Sequence, residues 1–255
     1  QLSVQKNIRE YRVRKDIQYR LDQNEISCID EIFPNVHHIM IDGYWLPWKR
    51  WQRKILLVYY AYYTKKVIWF SIRSGEKKEY IAEDLRFLRD TMEYKIISCT
   101  SDGWVGILAA LKDVYPECII QRCLVHIQRQ VKNYISGNPK TEAGKDLLRI
   151  IQYSFLSDVN TFPQAFENWK KKYFLFLIEK SVSRKWGRIF THRSLRKAMR
   201  HIENALPYMF QSSVNGLPNI EWASNKLEWY FWVLAEEWIK EHKGLNPARL
   251  YSFVA

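Results

Sequence analysis

What the chain has little of narrows its possible roles. Only 4 of its 255 residues are cysteine, which is no disulfide framework, so a reducing compartment is expected. No run approaches the ~20 consecutive apolar residues that span a bilayer, so no membrane partner is expected. Internal repeats and low-complexity tracts are both missing, which argues against a solenoid or a linker-dominated chain. Acidic residues are also scarce relative to basic ones. With 27 Asp and Glu against 40 Lys and Arg, the formal charge is +13 and the pI near 9.5. That imbalance favours a polyanionic partner, nucleic acid first, although charge alone leaves open a basic protein that binds none.

What is present is 47% hydrophobic content, enough for a sizeable core in one or two domains. Aromatic residues make up 15%, with 11 Trp and 16 Tyr. Many belong in the core, and those lying among Lys and Arg can stack on unpaired bases. The chain begins at Gln1 and stops at Ala255 just after a helical stretch, and reads as a piece of a longer protein.

Hydrophobic patterning predicts strands at 36–44, 54–63, 67–72, 95–101 and 117–122. The polar turn Thr64-Lys65-Lys66 between the second and third predicts a hairpin. Helical spacing over 76–92 puts Ile81, Leu85, Leu88 and Met92 on one side, and a short helix follows from Trp104 to Leu111, with Pro116 beyond it. The order β-β-β-α-β-α-β is the ribonuclease H-like order, antiparallel strands first and α/β crossovers after. Segments near 124–136, 142–156, 162–180 and 192–206 all read as helices. The expectation is therefore an α/β fold: a ribonuclease H-like mixed five-stranded sheet with flanking helices, interrupted by a large all-helical insertion. Its expected parts are a helical connector over 1–35, the first part of the core over 36–128, the insertion over 129–215, and a C-terminal helix completing the core over 216–255.

Three acidic residues stand where separate elements should meet. Asp42 ends the first apolar run, Asp102 ends the fourth, and Glu228 lies on the helical stretch 223–241 beside Leu227 and Phe231. Strand ends at the carboxyl edge of an α/β sheet are the usual place for a site. Each Asp-Gly pair alone also fits a plain turn. Together, carboxylates on two neighbouring strands and one helix suit two divalent ions, Mg²⁺ or Mn²⁺, for in-line phosphoryl chemistry. Glu221, Glu236 and Glu237 compete with Glu228, and Asn225 lies one turn before it.

Cys118, Cys123 and His126 have metal-capable spacing, but no fourth zinc ligand is evident and Cys118 falls inside a strand pattern. Cys123 and His126 straddle a strand-to-helix corner, where His126 can bond a phosphate or a catalytic carboxylate. Basic residues recur through the insertion: Lys170, Lys171, Arg184, Lys185, Arg188, Arg193, Arg196, Lys197 and Arg200, with Trp186 among them. Such a surface is either a DNA-backbone clamp or an ordinary solvated helix face.

Several motifs resemble those of insertion-sequence transposases of the Mutator-like, DDE type. Ile41-Asp42-Gly43 and Ser101-Asp102-Gly103 take the two Asp positions, Cys123 and His126 match a C-x-x-H, and Ala223-Ser224-Asn225-Lys226-Leu227-Glu228 is similar to T-T-N-x-L-E. Thr191 to Arg196, Asn204 to Phe210 and the H-x-G-L of His242 to Leu245 also resemble family stretches. Ala223-Ser224 departs from the usual Thr-Thr. The resemblance implies a metal-dependent enzyme that cleaves and joins DNA at element ends, with Asp42, Asp102 and Glu228 as catalytic metal ligands and Cys123, His126 and Asn225 as accessory groups. It also implies double-stranded DNA as partner, a homodimer or larger assembly on DNA, and a prokaryotic nucleoid location, or the nucleus of a eukaryotic host. Two other readings stay open: a nuclease of the same fold that cleaves without joining, and an inactive, transposase-derived DNA-binding protein.

Overall fold

The computed structural model describes residues 38–46, 54–62, 65–183, 187–215, 223, 224, 227, 228 and 231. The expected connector over 1–35, Asn225, Arg184, Lys185, Trp186 and most of 216–255 lie outside the described residues.

Five strands form one sheet: β1 (His38–Trp45), β2 (Ile55–Ala61), β3 (Lys66–Arg73), β4 (Ser98–Ser101) and β5 (Ile119–Arg122). Their order is β3-β2-β1-β4-β5. β1, β2 and β3 pair antiparallel, while β1 with β4 and β4 with β5 pair parallel. This is the mixed sheet with flanking helices that the sequence predicts, and it accords with a ribonuclease H-like core.

Alternation along β1 decides what each sheet face meets. Ile39 and Ile41 enter one core with Leu57, Tyr59 and Cys99. Helices α1 (Lys78–Arg86) and α2 (Val105–Val114) cover that face with Ile81, Leu85, Ile107 and Leu111. Met40 enters a second core with Leu56, Val58, Phe70, Leu227 and Phe231. Tyr44 stacks on Phe231 at 5.6 Å between ring centres. The segment carrying Glu228 is therefore seated on the face toward which Met40, Asp42 and Tyr44 alternate.

A buried polar group fastens α1 to the hairpin. Asp84, almost fully buried, accepts hydrogen bonds from Tyr59 (3.0 Å) and Ser71 and pairs with Arg73.

Beyond β5 come α3 (Leu124–Ile135), α4 (Glu142–Gln152), α5 (Thr161–Lys172), α6 (Phe174–Ile178), α7 (Arg193–Ala205) and the short α8 (Gln211–Val214). Leu124, Ile127 and Val131 of α3 share a third core with Leu147, Phe162, Phe166, Trp169, Ala198 and Ile202. The expected all-helical character of this segment needs correcting. β6 (Lys180–Ser183) and β7 (Gly187–Phe190) form an antiparallel ribbon, closed by Thr191 N–H donating to Glu179 O at 2.9 Å. Lys180, Ser181 and Val182 are exposed. The stretch thus offers no apolar stripe for a core to cover, and its backbone groups are satisfied across the ribbon instead.

Candidate active site at the carboxyl end of the sheet

Strand register sets the first two acids side by side. In the parallel β1–β4 pair, Ile41 lies opposite Ser101. One further step brings Asp42 level with Asp102. The next pair continues the row: Ser101 lies opposite Arg122, and Cys123 N–H donates to Ser101 O at 2.7 Å.

Both Asp-Gly steps are needed for close approach. Asp42 Oδ1 accepts from Gly43 N–H at 2.8 Å, and a Cβ on Gly43 would run into the Glu76 carboxylate and, at 2.6 Å, Ile55 Cδ1. Gly103 has φ +83° and lies against the Arg122 guanidinium, where any side chain would collide. Arg122 is buried, donates through Nη2 to Asp102 O at 3.3 Å, and leaves its Nε–H without a hydrogen-bond partner.

Glu228 reaches this end from the other face. Its Oε2 accepts from Arg129 Nη2 at 2.9 Å, and its Oε1 stands 3.4 Å from His126 Nε2. That contact falls short of a hydrogen bond, so the buried Oε1 has no donor. Ser224 joins the same corner, its N–H donating to Cys123 Sγ at 3.3 Å and its hydroxyl 3.4 Å from His126 Nδ1. Cys123 is thus the hub that ties β5 and α3 to the Glu228 segment.

The electrostatics show four acids sharing one region. Burial raises the Asp42 pKa to about 6, with Asp102 and Glu228 adding repulsion and His126 and the Gly43 N–H opposing. Glu76, in the loop before α1, is raised to about 7 by burial and by Asp102 and Asp42. Burial alone would depress His126, but the Cys123 sulfur, Asp42 and Asp102 lift it to about 9. Burial alone would raise Cys123, yet its bonds to His126 and Ser224 bring it below the ordinary thiol value. The pair therefore favours imidazolium facing sulfur, with a positive charge beside the carboxylates. Cys118 takes no part: burial pushes its thiol to about 12.

The donor set suits a hard divalent cation. It is carboxylate oxygen, with Asp42 and Glu76 raised in pKa by burial and by neighbouring carboxylates, and one buried oxygen of Glu228 lacks a donor. Among the described residues, no three His, Cys, Asp or Glu side chains stand close enough to hold one ion in common. Glu228 is drawn onto Arg129 instead.

Residues 61–206, more than half of the chain, match the family model for transposases of the Mutator family. The chain belongs to that family. The match to this transposase family includes Asp102, Cys123 and His126, while Asp42 and Glu228 lie on either side of it. No curated protein matches the chain.

Sequence reasoning missed Glu76 and Arg129, since neither belongs to an apolar run or a motif. Of the basic residues expected to meet DNA, Lys171, Arg188, Arg193, Lys197 and Arg200 are exposed. Arg193, Lys197 and Arg200 follow one another at helical spacing along α7. Lys170 is engaged by Glu167 and Glu203, and Arg196 donates to Leu177 O at 2.9 Å with its guanidinium 3.6 Å from the Phe190 ring centre. Arg188 stands on β7 rather than on a helix. No helix among the described residues is long and apolar enough to cross a membrane.

Proposed function

We propose that this chain is the catalytic domain of a DDE transposase, cleaving DNA at the ends of a mobile element and joining the freed ends to target DNA. The observation that supports the reading is the strand register that sets Asp42 level with Asp102, together with the repulsion that Asp102 and Glu228 exert on the buried Asp42. Asp42, Asp102 and Glu228 would hold two Mg²⁺ or Mn²⁺ ions, with Glu76 within reach as a further oxygen donor. Bound there, such ions supply the positive charge that activates the attacking oxygen and offsets charge on the leaving one.

The chain's own residues set the rest. The β1–β4 register holds Asp42 and Asp102 level. Arg129 orients Glu228 through one oxygen and leaves the other facing the site. His126, kept positive by Cys123, would bond either a phosphate oxygen or the Glu228 carboxylate beside it. The exposed Lys171, Arg188, Arg193, Lys197 and Arg200 would neutralise backbone phosphates of double-stranded DNA, at element ends or target. Joining two ends calls for at least two copies assembled on DNA, in the nucleoid of a prokaryotic host.

The test is cleavage and strand transfer on end-containing duplexes with Mg²⁺. Asp42→Ala, Asp102→Ala and Glu228→Ala should each lower both by on the order of 10³-fold or more, with DNA binding in EDTA retained. Full strand transfer by any of the three would remove that residue from the site. Cleavage without joining by the native chain would make it a nuclease, and binding alone a DNA-binding derivative.

A further inference from the structure

We propose that the exposed face of Trp104 is a stacking site for one unpaired nucleobase, next to the phosphate on which the acidic site acts. The placement rests on the reading above, but the binding itself does not require catalysis.

Four tryptophans lie among the described residues, and they divide sharply. Trp169 is core and Trp69 is packed on Phe87. Trp45 and Trp104 are 49% and 50% exposed. Trp45 stands three residues beyond Asp42, as the last residue of β1, and Trp104 two beyond Asp102, at the start of α2. Leaving so large an aromatic surface in water is unfavourable, and both of the half-exposed tryptophans among the described residues follow a candidate-site aspartate closely in sequence.

Trp104 is also held in place. Its backbone N–H donates to Asp102 Oδ1 at 2.8 Å, and its indole Nε1–H donates to Glu76 O at 2.8 Å. Both bonds run to residues of the acidic group, so the ring is fixed relative to the carboxylates. With its single donor already taken by Glu76, the indole offers a ligand nothing but its π face. That selects a flat partner recognised by stacking, without hydrogen-bond readout. A nucleobase fits, and it must be unpaired or flipped, because within a duplex both its faces are covered. The +13 charge of the chain draws the attached phosphates to the protein.

The experiment uses the full chain in EDTA, so cleavage plays no part. Duplexes carrying a short single-stranded flank are compared with fully paired ones, with 2-aminopurine placed in turn at each flank position. Trp104→Phe and Trp104→Leu both remove the indole bond to Glu76, so their difference isolates the aromatic face. Trp104→Leu should bind the flanked duplex roughly 5- to 100-fold more weakly than the native chain. It should also lose quenching at one flank position, with unchanged affinity for paired duplex. Trp104→Phe should retain most of both. Equal behaviour of the Leu and Phe variants would overturn the proposal, as would equal losses on flanked and paired DNA or no position-specific quenching in the native chain. Overturning it leaves the cleavage assay with Asp42, Asp102 and Glu228 variants untouched, and the reverse also holds.

Discussion

Arg129 and Glu228, 99 residues apart in sequence, meet in a 2.9 Å hydrogen bond that occupies one carboxylate oxygen and leaves the other without a donor. Arg129 stands one turn along α3 from His126, so a single helix presents two cationic side chains to Glu228. A partner of this kind orients a ligand without touching the reacting atoms.

Removing Arg129 should therefore weaken the site without removing it. Arg129→Ala is expected to cut cleavage at limiting Mg²⁺ by roughly 10- to 100-fold, mainly by raising the metal concentration needed for half-maximal rate. Arg129→Lys should recover part of the loss. A fall in rate that saturating metal does not relieve, with no change in metal dependence, would assign Arg129 a different role.

Glu76 gives a pH-dependent expectation. Its folded pKa, about 7, lies above its ordinary value of 4.5, so between those limits the folded state binds more protons than the unfolded one. Stability contributed by this group is thus present at low pH and declines as pH rises through about 7. Glu76→Gln should leave melting near pH 5 almost unchanged and raise the melting temperature of the metal-free chain at pH 8. The same variant should gain less from added Mn²⁺ at pH 8 than the native chain does. A native-like melting temperature at pH 8 would show that the glutamate is relieved by solvent.

Asp84 is buried in the native fold and serves three donors at once, Tyr59, Ser71 and Arg73. Asp84→Ala leaves the Tyr59 and Ser71 hydroxyls without their acceptor and Arg73 with only Glu83 and Ser71, and should cost roughly 3–5 kcal/mol in urea unfolding. A cost under about 1 kcal/mol would mean that water replaces the carboxylate.

The first three strands were legible as runs of mostly apolar residues and β4 by the apolar Ile96-Ile97 just before it, and alternation along β1 already separates Ile39 and Ile41 from Met40 and Asp42. Asp42 and Asp102 were legible for the same reason, each being the first carboxylate past a buried run. Glu76 was not. It sits in a loop beside Ser74 and Gly75, and only the return of α1 along the sheet carries it to Gly43. Arg129 looked like any other cation on an amphipathic helix until the Glu228 segment settled on it. Asp84 carries no local signal, because Tyr59 and Arg73 reach it from two different strands. The β6–β7 ribbon escaped for a different reason: four residues per strand, mostly polar, give too little periodicity to compete with the helical signal on either side.

The segment that follows β5 is fastened to the sheet at both of its ends. It departs at Cys123, beside Ser101, and it returns at Gln211, whose N–H donates at 2.9 Å to the fully buried Gln121 of the same strand. Entry and exit thus share one doorway, as they do where a folded unit can be enlarged, trimmed or exchanged without parting the host around it. Asp42 and Asp102 take their spacing from strand register, and Glu228 its place from α3, which no change of length between 136 and 210 need disturb. The acidic cluster and the exposed basic surface of α7 are in this way free to vary at different rates, the first held by the sheet and α3 and the second by what grows beyond them.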